Sequence, residues 1–74
     1  MSEESEYLRR MAPGVVEHGT GSADLVQIHR DLRTFCPKEQ PGFVVQIIRD
    51  LEGLDLTPEE LARWCLDRAE RLET

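Results

Sequence analysis

Four side chains are of the types that bind metals or act as nucleophiles and bases in other proteins: His18, His29, Cys36 and Cys65. A zinc site gathers four ligands, usually from pairs two to five residues apart, and the spacing here offers no such pair. His29 and Cys36 stand two helical turns apart, so they share a face without chelating as neighbours. Free thiols are among the most buried side chains, and the set reads as a boundary histidine with two core cysteines. Nucleophilic use of a thiol calls for an exposed thiolate beside a base. Cys65 instead falls on an apolar stripe, and Cys36 ends a helix ahead of Pro37. A Cys36–Cys65 disulfide would tie the second helix to the fourth, but an intracellular setting favours two reduced thiols.

The acids of Asp50-Leu51-Glu52-Gly53-Leu54-Asp55 have a superficial likeness to a calcium loop. Such a loop takes ligands at positions 1, 3 and 5, glycine at 6 and glutamate at 12. Counted from Asp50, glycine falls at position 4, Leu54 at 5 and Leu61 at 12, so the pattern fails. These acids read as solvated helix ends. The residue set therefore predicts no metal, no cofactor and no enzymatic activity.

The elements that hold these residues are helical. Phe43, Val44, Ile47, Ile48 and Leu51 make a one-sided apolar stripe at helical spacing. Gly53 stands where a left-handed C-terminal cap belongs, with Leu54 beyond it. Thr57-Pro58-Glu59-Glu60 supplies a hydroxyl N-cap, a proline at the first helical position and a glutamate to close a capping box. Leu61, Cys65, Ala69 and Leu72 continue that last helix on one face. Earlier in the chain, Ser2 caps a short helix that Pro13-Gly14 is expected to stop. Val15 to Gly21 reads as a loop with at most one helical turn, because glycine costs a helix about 1 kcal/mol. Ser22 is expected to cap a second helix whose inward face is Leu25, Ile28, His29, Leu32, Phe35 and Cys36. A bend follows at Pro37 to Gly42. The fold class is all-α, a small bundle of helices at about 2–11, 22–35, 41–52 and 58–73, with no strands. Residues 1–74 form one domain, with 1–21 expected as a loosely packed N-terminal arm.

The totals narrow the function classes. A chain of 74 residues buries only roughly 60% of the surface its unfolded form exposes, leaving little room for an enclosed substrate pocket. Nine basic against fifteen acidic residues give a net charge of −6, which repels phosphate backbones. No nucleic-acid or membrane partner is expected. The acidic start lacks the apolar run of a secretory signal, and no segment has the roughly 18 apolar residues of a membrane span. The chain reads as cytoplasmic.

What remains points to protein partners. Val45 projects opposite Phe43 and Ile47, so the fold's own core has little use for it. Trp64 and Leu66 lie at opposite margins of the last apolar stripe, and tryptophan at such a margin is a frequent interface anchor. Arg49, Arg63, Arg68 and Arg71 are placed to rim a patch and meet carboxylates. The expectation is a non-enzymatic α-helical interaction module, an adaptor or a homodimer, binding through Val45, Arg49, Arg63, Trp64, Leu66 and Arg68. One alternative is a small acidic regulator that occupies a basic site on another protein. Another is a helix-turn-helix DNA binder, which Glu59 and Glu60 disfavour by placing acid where a recognition helix begins.

Overall fold

The computed structural model describes residues 2–35 and 42–73, with the backbone alone over residues 32–35. The expectations that rest on Leu32, Phe35, Cys36 and the bend at 37–41 lie outside the described side chains. Four helices follow in order: α1 (Glu3–His18), α2 (Ser22–Phe35), α3 (Gly42–Leu51) and α4 (Pro58–Glu73). No strand occurs among the described residues. The all-α bundle is as the sequence predicts.

The first helix corrects the sequence reading. It does not stop at Met11 but runs through Pro13 and Gly14 to His18. Its buried residues Ser5, Leu8, Ala12 and Val15 form one stripe that crosses the proline without a break. Pro13 itself is exposed, so the hydrogen bond it forfeits is on the solvent side, and burial of Ala12 and Val15 holds the next turn in place. The stop comes at Gly19, at φ 66°. Its amide donates to the Val16 carbonyl at 3.2 Å and that of Thr20 to the Val15 carbonyl at 2.8 Å, a Schellman closure that only glycine enters without strain. Ser2 caps the other end, accepting from the Ser5 amide at 3.2 Å.

Nor is α1 a loose arm. It makes the most extensive helix contact among the described residues with α4, through small buried residues: Ser5 and Ala12 on one side, Ala62, Cys65 and Ala69 on the other. The Glu4–Arg68 and Arg9–Glu73 ion pairs set the N-terminal half of α1 against the C-terminal half of α4. At the other end the Ser22–Leu56 hydrogen bond sets the end of α1 beside the start of α4, so the pair is antiparallel. Leu25 and Val26 from α2, and Ile47 and Leu51 from α3, complete the core against Leu8 and Leu61. In α2 the inward stripe is Leu25, Val26 and His29, and Ile28 lies outside it, exposed. Tyr7 meets Phe43 with ring centroids 5.7 Å apart, which places α3 against α1.

Ser22 departs furthest from its expected role. Gly21 is the N-cap of α2, since the Leu25 amide donates to its carbonyl at 3.0 Å. Ser22, fully buried, faces the α3–α4 joint instead. Its hydroxyl donates to the Leu54 carbonyl at 2.6 Å and accepts from the Leu56 amide at 2.8 Å. The Ser22 amide adds a bond to the Leu56 carbonyl at 3.1 Å. Gly21 fits beside that carbonyl because it has no side chain; a Cβ there would lie 2.8 Å from the Leu56 oxygen. The second joint is as the sequence predicts. Gly53 adopts φ 86°, while Thr57 and Glu60 close a reciprocal capping box at 3.2 and 3.3 Å.

Two sets of substitutions test this frame. Gly14 is helical and a Cβ on it meets nothing within 4 Å, so Gly14→Ala should stabilise by about 0.5–1 kcal/mol and raise the melting temperature. A lowered melting temperature would place a break at Pro13. Ser22→Ala should cost about 1–3 kcal/mol by stripping Leu56 N–H and Leu54 C=O of their partner. Gly21→Ala should cost about 1–3 kcal/mol by forcing backbone apart. Urea titration reads both; unchanged midpoints would remove the tie from the fold's supports.

Candidate interaction surface

The chemistry-bearing residues stay apart. His18 ends α1 at the surface and His29 is buried in α2. Cys65 is a free, fully buried thiol, and burial pushes its pKa up to about 11 against the pull of the Arg68 guanidinium. That shift runs opposite to what a nucleophilic thiolate needs. Among the described residues no three His, Cys, Asp or Glu side chains are placed to share a metal ion. The acids of the calcium-like stretch engage cations of the protein itself: Asp50 pairs with Arg68, and Glu52 with Arg30 at 3.1 Å. At the start of α4, Glu59 and Glu60 are exposed.

The six predicted partner residues fall on three separate surfaces. Trp64 and Arg68 share one flank of α4. Arg68 joins three helices there, donating from Nη1 to the Asp50 carboxylate of α3 and lying 3.7 Å from the Glu4 carboxylate of α1. Its guanidinium sits over the Trp64 ring, 5.2 Å from the centroid. Two carboxylates thus aim the cation, and the cation holds the indole, a contact worth about 0.5–1 kcal/mol at the surface. A groove of about 360 Å³ opens beside them, lined by Trp64, Asp67, Arg68, Arg71 and Leu72. Leu72 was expected on the inward face with Cys65 and Ala69; it lies exposed at the end of α4.

Leu66 and Arg63 occupy the opposite flank of α4, both exposed. They lie on the side where Glu73 accepts from Arg9, with Nε to Oε1 at 3.1 Å. Val45 and Arg49 are on α3, at the margin away from Phe43 and Asp50, with Val45 half-buried and Arg49 exposed. A second groove of about 410 Å³ lies elsewhere, between α2 and the α3–α4 joint, with Val26, Leu51 and Leu54 among its lining. Sequence reasoning placed Trp64 at a stripe margin but missed the Glu4–Arg68–Asp50 bridge. The signal for it exists only in three dimensions, because its members are far apart in the chain.

Comparison with models of protein families, with curated proteins and with solved structures finds no match in any of the three.

The ion pairs predict a pH response. The hydrogen bond from Arg68 holds the Asp50 carboxyl below its ordinary pKa, and the bond from Arg9 does the same for Glu73. A depressed folded-state pKa contributes stability above the unfolded value of about 4, and loses it as pH falls through the folded value. Stability to urea should be level near neutrality and decline below about pH 4. Asp50→Asn should make that decline shallower. An acid response of the same steepness in Asp50→Asn would show that the Arg68 bridge contributes nothing, as weak exposed pairs sometimes do.

Proposed function

We propose that this chain is a non-enzymatic α-helical interaction module that binds another protein through the Trp64 flank of α4. The observation that carries the reading is the preorganised anchor: a half-buried indole at the edge of the core, fixed by Arg68, which Glu4 and Asp50 aim in turn. Tryptophan and arginine are the side chains most often found at the energetic centre of interfaces. Anchors already in place spare the ordering cost that weakens binding. Leu72 and Arg71 extend the groove beyond the ring, supplying apolar area and a polar rim of the kind that interfaces use. The partner of this flank is a protein segment that lays an apolar side chain on the indole. The cytoplasm suits this reading, because Cys65 is a free thiol; no helix among the described residues is long and apolar enough to cross a membrane.

The acidic surface supports a second reading. Glu3, Glu6, Glu59 and Glu60 are exposed at two helix starts, in a chain of net charge −6, and would suit occupation of a basic site. Such binding would depend steeply on salt and be indifferent to Trp64.

Quantitative affinity capture from the source cell separates the two. A specific partner should be retained at moderate salt and lost, by about tenfold or more, in Leu72→Asp and Trp64→Ala, with helicity checked by circular dichroism. Capture that ignores both substitutions and vanishes with salt would replace this reading with the acidic regulator.

A further inference from the structure

The other flank of α4 carries a different message, independent of the Trp64 reading. Residues seven apart return to within about 20° of the same helix face, so Glu59, Leu66 and Glu73 form one row. Arg63 and Glu70 form a second row beside it. All five are exposed. Glu73 is held by Arg9, which faces this flank from α1. Val16 lies two turns beyond Arg9 and so opens along the same seam. Two large apolar side chains thus stand in water on this flank, Val16 at 45% and Leu66 at 44% exposure.

The pattern is self-complementary. About a two-fold axis through Leu66, Arg63 precedes the centre by three residues and Glu70 follows it by four. At about 1.5 Å of rise per residue, the two sit at nearly equal distances on either side. Two copies of α4 packed antiparallel would place Leu66 against Leu66, and the charges then meet twice, Arg63 of each copy facing Glu70 of the other. Glu59 would meet the Arg9–Glu73 pair of the other copy rather than a bare carboxylate. Arg63 makes no ion pair with the described residues. Glu70 adds to the field on Arg9. A parallel packing of the same faces would instead set Arg63 beside Arg63 and Glu70 beside Glu70.

We propose that a second copy of this chain occupies the Leu66 flank, as a two-fold antiparallel α4–α4 pair with Leu66 at its centre, two Arg63–Glu70 contacts around it and Val16 at its margin. The apolar area is small, so the dimer is a weak, concentration-dependent one. It leaves the Trp64 flank, on the opposite side of α4, open to a different protein.

The test is sedimentation equilibrium from micromolar to millimolar chain at low salt, where charge contacts are least screened. The wild-type chain should form a dimer and stop there. Arg63→Glu and Glu70→Arg should each weaken it by about tenfold or more, and Leu66→Asp should abolish it. An equimolar mixture of the two charge variants should recover the association, since every facing pair is again opposite in sign. The double variant should recover it too. Circular dichroism of each variant should match the wild type, because these positions are exposed. A wild-type chain that stays monomeric throughout would overturn the proposal. So would a dimer indifferent to either charge reversal, or a mixture that fails to recover. Trp64→Ala should leave this dimer unchanged while it removes heterotypic binding, so the two surfaces fail separately.

Discussion

Everything in this fold is set out from the tie between Ser22 and the Leu54–Leu56 segment. One hydroxyl donates to one backbone group and accepts from another, and a backbone bond lies alongside. It joins the α1–α2 corner to the α3–α4 corner, positions more than thirty residues apart in the chain. A small domain has few ways to satisfy buried backbone groups at its corners, and here a single serine satisfies two of them. Because the end of α1 and the start of α4 are thereby brought together, the two helices must run side by side and antiparallel. Gly21 is part of the same constraint, since the Leu56 carbonyl occupies the space its side chain would need.

At the far end of that helix pair, charge takes over from hydrogen-bonded backbone. Arg9–Glu73 closes one side of the α1–α4 seam, and Glu4–Arg68–Asp50 closes the other while drawing α3 in. The two sides differ in consequence. Where α3 docks, Trp64 is steadied by Arg68 and bordered by a groove. On the opposite side, Leu66 and Val16 stay in water. The two flanks of α4 thus differ in chemistry, and the helix acquires both from the way its neighbours are arranged.

Much of this was legible in the residues. The α3 stripe, the Gly53 cap and the Thr57–Glu60 capping box depend on neighbours within a few positions, where side-chain type and spacing determine the outcome. The extent of α1 was not read correctly: Pro13-Gly14 argued for a stop, while the buried stripe Ser5, Leu8, Ala12 and Val15 carries the helix past it. Burial outweighed propensity because Pro13 faces solvent. In α2 the spacing was read as putting Ile28 on the inward face, whereas Val26 is buried there and Ile28 is exposed. Ser22 looked like a cap because serine before a helix usually is one. Its true partners, like those of Arg68, come from distant parts of the chain and carry no local signal. For the same reason Trp64 and Leu66 were correctly set at opposite margins of one stripe, whereas the single patch drawn around them with Val45 divides into three surfaces.

Native-state hydrogen exchange of the Leu56 and Ser22 amides tests the tie between the two corners directly. Both should exchange only through global unfolding, as slowly as the best-protected amides in the middle of α1 and α4. Exchange at the rate of an open surface loop, orders of magnitude faster, would mean that the corners are not joined and that α1 and α4 are held by their seam alone.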